Sequence, residues 1–263
     1  MKQLFTIIIA AALSMSAQAQ ARYLSTSGQK LDVSIVEKSA PVQLSRILLA
    51  GYNSICLPMT LNAQQLQAAA PDVQVERLVA IRQEGTTLNL YFIDCTDEGI
   101  EAGQPYLIFS PKAQYLRART NEAVAVSTRL QPVTFSDGEG NRVTFSSAWD
   151  AMVGDGRYGI PAQQDTDILQ SILVRTTADK TFLPTRCGFT WEAQSATATK
   201  LEIKHVTSLD GIETRINDLR AANATVEVYD LAGRHAATAP FSALRSKLAP
   251  GVYVINGVKV AIK

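Results

Sequence analysis

Few side chains in this sequence could do chemistry. There are two histidines, His205 and His235, and three cysteines, Cys56, Cys95 and Cys187. Nucleophilic catalysis needs a serine or cysteine beside a histidine that a third group orients. No G-x-S-x-G turn occurs, and Cys187, the best-placed thiol, stands in no catalytic sequence context. His205 ends a strand-like run and His235 follows Gly233-Arg234, so both read as structural unless Cys187 comes within reach of His205. Paired carboxylates are the second option. Asp94, Asp97 and Glu98 cluster, and Asp165 and Asp167 would share a face if extended. A glycosidase needs two carboxyls flanking a sugar, ~5–9 Å apart, a separation that spacing along the chain does not establish. Asp97-Glu98-Gly99 reads more simply as a hairpin turn.

Metal and ring chemistry are equally thin. Asp137-Gly138-Glu139-Gly140-Asn141 places oxygens at alternate positions, as a calcium loop does, but lacks the later bidentate glutamate. A hairpin turn is the plainer reading. Trp149, Trp191, Tyr115 and Tyr158 could form a sugar- or protein-binding face, since flat rings stack and expose polar edges. With 7% aromatic residues, core packing accounts for most of them. No residue is assigned a catalytic, metal-binding or cofactor-binding role, and no cofactor is expected.

The elements that must carry these residues are mostly strands. In Thr87–Phe92, Leu88, Leu90 and Phe92 alternate onto one face, the period of a half-buried strand. Val133-Thr134-Phe135-Ser136 recurs as Val143-Thr144-Phe145-Ser146 across the Asp137–Asn141 loop, a hairpin pattern. Further strands are expected at Val73–Arg82, Pro105–Ser110, Ala123–Thr128, Ile168–Arg175 and Leu201–Val206. Two short helices are expected: Ala63–Ala70, capped by Asn62 and ended by Pro71, and Ala148–Val153, capped by Ser147 and closed by Gly154. Neither supplies the repeated crossovers of a parallel α/β sheet. The expected fold is all-β: an antiparallel β-sandwich or jelly-roll-like main domain with a few short helices, plus a small C-terminal β domain.

Composition sets the compartment. Lys2 precedes an uncharged apolar run, Leu4 to Met15, and Ser16-Ala17-Gln18-Ala19 offers the small-x-small pattern of a signal-peptidase site. A bilayer span needs about 20 apolar residues, so this reads as a cleaved leader, residues 1–19, and no stable membrane span is expected. Without Lys2, basic and acidic residues stand equal at 24 each, which gives no reason to expect nucleic acid. Export to the periplasm, cell surface or medium would permit a Cys56–Cys95 disulfide. Against it, Ile55-Cys56-Leu57 and Ile93-Asp94-Cys95 lie in apolar runs where cysteine serves as a small hydrophobe; both readings stay open. The organisation reads as main domain 20–208, linker 209–223 and tail 224–263.

The tail resembles a known family. Val228-Tyr229-Asp230-Leu231-Ala232-Gly233-Arg234, then Leu248-Ala249-Pro250-Gly251-Val252-Tyr253 and a final strand with Lys259, resembles the C-terminal sorting domain of Bacteroidota proteins secreted by the type IX (Por-type) system. The resemblance implies a compact β-sandwich that engages outer-membrane secretion machinery, with Tyr229, Asp230, Gly233, Arg234, Gly251, Tyr253 and Lys259 as its motif residues. This version is shorter than the family's. In the body, Tyr52-Asn53-Ser54-Ile55-Cys56-Leu57-Pro58 and Ala102-Gly103-Gln104-Pro105-Tyr106-Leu107 look like a module of Bacteroidota surface proteins; Tyr158-Gly159-Ile160-Pro161 and Leu183-Pro184-Thr185-Arg186 would fit its second half. The expectation is a non-enzymatic surface or secreted protein that binds a glycan or protein or serves a structural role. The alternatives are a secreted carbohydrate-active enzyme or peptidase, and a subunit of a fimbria-like assembly.

Overall fold

A computed structural model of the chain describes residues 22–35, 42–119, 127–137, 139–161, 173–193, 197–207, 223, 225–255 and 258–262. In chain order the body strands are β1 (Arg22–Ser25), β2 (Val42–Leu48), β3 (Gly51–Ile55), β4 (Gln74–Glu84), β5 (Thr87–Asp94), β6 (Tyr106–Ser110), β7 (Gln114–Arg119), β8 (Val133–Ser136), β9 (Asn141–Ser147), β10 (Met152–Val153), β11 (Tyr158–Gly159), β12 (Val174–Arg175), β13 (Thr181–Phe182), β14 (Cys187–Ala193) and β15 (Lys200–Val206). The tail adds β16 (Thr225–Tyr229), β17 (His235–Pro240), β18 (Gly251–Ile255) and β19 (Val258–Ile262). Two short α-helices accompany them, α1 (Ala63–Ala69) and α2 (Leu244–Lys247). The fold is all-β.

Two five-stranded sheets face one another, in the orders β15-β5-β4-β6-β3 and β12-β11-β14-β9-β8. The period-two pattern explains why. Leu88, Leu90 and Phe92 of β5 share one face with Leu201 and Ile203 of β15, and bury it against Val143, Phe145 and Phe189 of the opposing sheet. Phe145 and Phe189 are register partners whose rings stack at 4.2 Å, and Phe92 meets both edge-on. Each such side chain contributes roughly 1.5–3 kcal/mol on burial. A bulge between Leu78 and Ala80 inserts one extra residue in β4, so Leu78 and Ile81, three apart, both reach this core. A three-stranded sheet, β1-β2-β7, covers a second core with α1.

The tail is one antiparallel sheet, β17-β16-β18-β19. Its core of Val226, Val228, Ala239, Phe241, Leu244 and Ile255 includes Ala80 of the body, with Val79, Tyr91 and Val206 packed against it. The Phe241–Lys247 helical stretch between β17 and β18 has no counterpart in the strand pattern read from sequence.

Several local expectations hold. α1 carries a complete capping box between Asn62 and Gln65. β8 and β9 pair as the repeated hairpin, and β18 and β19 pair about Asn256-Gly257, which lie outside the described residues. Others fail. Ala148–Val153 is not helical: Ala151 N donates to Gln29 O, Asp150 bridges Lys30, and Met152 pairs with Phe182. Trp149, anchored between two cores, draws that stretch out straight and overrides its helix-start signal. Pairing is also not uniformly antiparallel, because β1–β2 and β15–β5 run parallel. Residues 123–126, 168–172 and 208–222, and residues 1–19 where a leader is expected, lie outside the described residues; Ser127 and Thr128 are described and not in a strand. Among the described residues no helix is long and apolar enough to cross a membrane.

Candidate functional site

The most unusual side chain is Arg46. In β2 the inward positions are Val42, Leu44 and Leu48, and Arg46 falls in the same register. It is only 5% exposed. Its Nη1 donates to Thr185 O and its Nη2 to Ser54 O, both at 2.5 Å, while Nε has no partner. Thr185 sits at φ 67°, a left-handed conformation costly for a β-branched residue. Held there, its carbonyl also accepts from Cys56 N at 3.0 Å. Burial first, and the neighbouring Arg186 second, pull the Arg46 guanidinium down from its ordinary value to about 10. No carboxylate among the described residues forms an ion pair with Arg46, Arg175 or Arg186, whereas Lys180 pairs with Asp179 at 2.9 Å.

Two hollows meet at this arginine. The larger, about 460 Å³, is lined by Arg46, Arg186 and Arg175 with Tyr52, Thr176 and Phe182. Its walls come from β2, β3, β11, β12 and β13 and from the loops that carry Ile160, Thr177 and Arg186. The Phe182 ring fits there because position 159 is glycine; a Cβ on Gly159 would lie 2.9 Å from that ring. The smaller, about 280 Å³, shares Arg46 and Arg186 and adds Tyr23, Tyr115, Ser45 and Ile47. Tyr23 is 57% and Tyr115 50% exposed, and the Arg117 guanidinium lies 4.8 Å from the Tyr115 ring centre. Of the four aromatics singled out from sequence, Tyr115 alone borders this hollow and Tyr158 neither. Trp149 Nε1 donates to Thr128 O, and Trp191 Nε1 to Asn141 Oδ1; both rings pack on the core.

A second assembly adjoins the larger hollow through Tyr52. Glu76 on the central strand β4 accepts from the Tyr52 hydroxyl at 3.3 Å and meets His205 Nδ1 at 2.7 Å, and the Tyr52 and His205 rings stack at 4.4 Å. Tyr52 and His205 belong to the two outermost strands of one sheet, so that sheet curls until its edges close over Glu76, which is 7% exposed. A carboxylate on Nδ1 fixes an imidazole as it does in catalytic triads. The thiol weighed as its partner is elsewhere: Cys187 is fully buried, and its charge neighbours are Cys56 and Arg46. All three cysteines are free and buried, so the Cys56–Cys95 disulfide is not formed. Cys56 and Cys95 lie in different cores. Burial pushes both thiols up to about 12, and Cys187 well above its ordinary value.

The tail motif builds a closed turn. Asp230 Oδ1 accepts from the amides of Ala232 and Arg234, and Oδ2 from Arg234 Nε at 2.7 Å. These bonds, the Arg234 amide first, hold the Asp230 carboxyl below its ordinary value. Gly233 takes φ +76°, which explains glycine there. The Tyr253 ring folds over Gly251 and its hydroxyl donates to Ala249 O at 3.0 Å. Tyr229 donates to Glu227 at 2.7 Å, and its ring meets His235 edge-on at 5.5 Å. Lys259 pairs through its backbone with Val254. Tyr229, Asp230 and Gly233 therefore come together, facing Phe135 and Arg142 of the body across a cavity of about 490 Å³. Gly251, Tyr253 and Lys259 serve the adjacent hairpin.

The remaining candidates are local. Asp137 holds Glu139 N and Asn141 N through Oδ1 and Asn141 Nδ2 through Oδ2, tying off the hairpin loop; Gly138 lies outside the described residues. Asp94 accepts from Thr96 N, and Glu98 pairs with Arg77. Asp165 and Asp167 lie outside the described residues. Among the described residues no three His, Cys, Asp or Glu side chains gather as metal ligands. No protein-family model matches the chain, and no curated protein or solved structure is similar to it. The likeness of the tail therefore rests on its motif residues alone.

Proposed function

We propose that this chain is an exported binding protein that acts without catalysis at the cell surface or after release, and seats its ligand in the hollow around Arg46. The observation that carries this reading is Arg46 itself. A desolvated guanidinium beside a second arginine, and without a carboxylate partner among the described residues, costs stability, and a partly apolar hollow with a few convergent polar groups is what a ligand site requires. The leader pattern at residues 1–19 supports export, and the sorting-type tail supports passage through outer-membrane machinery. A glycan and protein array probed with the mature chain tests binding: hits lost on filling the hollow with Gly159→Leu support the reading, and an empty array contradicts it. N-terminal sequencing tests export, with Gln20 expected first; a cytosolic chain retaining Met1 would refute it.

One observation favours a second reading. His205, oriented by Glu76, has the bearing of a general base, so a hydrolase of the envelope or of external polymers would use it. Turnover abolished by His205→Ala would establish that reading over the first.

A further inference from the structure

We infer that the twin hollows form one site for an acidic oligosaccharide, with Arg186 gripping its oxyanion in the field of the buried Arg46 and the Tyr23–Tyr115 side receiving a sugar ring. This names the ligand class of the site proposed above and rests on that reading.

The described lining of the larger hollow contains Arg46, Arg175, Arg186 and Lys180 and no carboxylate. Lys180 pairs with Asp179, and the three guanidiniums have no acidic partner among the described residues. Arg46 and Arg186 border both hollows, Arg46 from the inward face of β2 and Ser45 and Ile47 of the smaller hollow from its other face. Arginine presents planar forked donors that match the two oxygens of a carboxylate or sulfate. Arg46 keeps one donor, Nε, unspent while its other two nitrogens are anchored on backbone carbonyls. An oxyanion between the hollows would meet the exposed Arg186 guanidinium and relieve its repulsion with the buried Arg46. Arg46 is 95% buried, so its head is positioned before the ligand arrives and loses little freedom on binding.

The smaller hollow supplies what a sugar needs. Tyr23 and Tyr115 are half-exposed rings on β1 and β7 of one sheet, and Ser25, Thr26 and Ser45 add hydroxyls at the rim. Rings take the apolar face of a pyranose, and hydroxyls exchange hydrogen bonds with its edge. The anion can come from a uronate carboxylate or from a sulfate ester; the arginine fork accepts both.

The test is isothermal titration of the mature chain with a galacturonate trimer, a sulfated galactose disaccharide and a neutral galactose trimer. Binding of either acidic probe, and not of the neutral one, is expected, and which acidic probe binds identifies the oxyanion. Arg186→Gln, a substitution of an exposed residue, should weaken that binding by about tenfold or more, the worth of one charged hydrogen bond. Arg46→Gln should do the same wherever circular dichroism shows it folded, and Tyr115→Ala should weaken the acidic probe without altering the melting temperature. Binding of the neutral trimer as tightly as the acidic ones, binding undiminished in Arg186→Gln, or no binding of either acidic probe overturns the inference. A preference for poly-glutamate peptide over both sugars overturns it as well. A hit for an uncharged ligand on the array would leave the binding reading standing while this inference falls.

Discussion

Raising the pH from 8 to 10 should remove about 4 kcal/mol of this protein's stability, and the magnitude follows from its three thiols. In the unfolded chain each cysteine titrates near 9.0; in the folded chain burial holds Cys56 and Cys95 at about 12 and Cys187 well above 9. A group whose folded pKa is raised contributes stability fully present below its unfolded value and lost as pH climbs toward the folded one. At pH 8 the penalty is negligible. At pH 10 each thiol costs about 1.4 kcal/mol, so the three together remove about 4 kcal/mol. Tyr52 and Tyr106, both raised by burial, push the same way; Arg46, lowered to about 10, opposes them only above pH 10. Since folded domains hold about 5–15 kcal/mol, the urea midpoint should fall sharply. Urea unfolding in a reducing buffer at pH 8, 9 and 10 measures it, with Cys95→Ala as the comparison, its fall shallower by about a third. A loss below about 1 kcal/mol in the wild type, or the same fall in Cys95→Ala, would refute the reasoning that these thiols are free and desolvated.

Other outcomes follow from single contacts. Gly103→Ala should unfold the chain or cost more than about 3 kcal/mol, because φ is +80° and a Cβ would sit 2.2 Å from Arg129 O; an unchanged thermal melt contradicts this. His205→Ala leaves the buried Glu76 carboxylate with the Tyr52 hydroxyl as its remaining side-chain donor and should cost about 1–3 kcal/mol by urea titration, with His205→Gln recovering part of it. Phe189→Ala removes a ring from the inter-sheet stack and should cost about 3–5 kcal/mol in the same assay. Asp230→Ala should speed hydrogen exchange at Ala232 and Arg234 while protection in β5 and β14 stays unchanged.

What sequence could say about this protein depended on period. Strict alternation in β5 and the doubled V-T-F-S run fixed strands and a hairpin, because a half-buried strand leaves its signature in every second residue. The Asn62–Gln65 capping box marked α1 for the same local reason. Ala148–Val153 carried an equally plausible helix start, yet Trp149 is claimed by two cores, a long-range demand that no local rule reports. The parallel return of β15 beside β5 is a matter of topology and leaves no mark in either segment. The hollow was missed although its signal is present: in V-Q-L-S-R-I-L, Arg46 holds an inward position among Val42, Leu44 and Leu48. An arginine in a core register is the departure from pattern that marks a site. Arg186 and Tyr23 could not be joined to it before the fold was known. His205 was weighed against Cys187, whereas curling of the sheet delivered it to Glu76 and Tyr52.

The most direct test is amide-shift mapping by NMR on the mature chain titrated with the galacturonate trimer and the sulfated disaccharide. The largest shifts should fall on Arg46, Ser54, Thr185 and Arg186, with smaller ones at Tyr23 and Tyr115. Shifts centred on the tail cavity around Tyr229 and Asp230, or none anywhere, would contradict it.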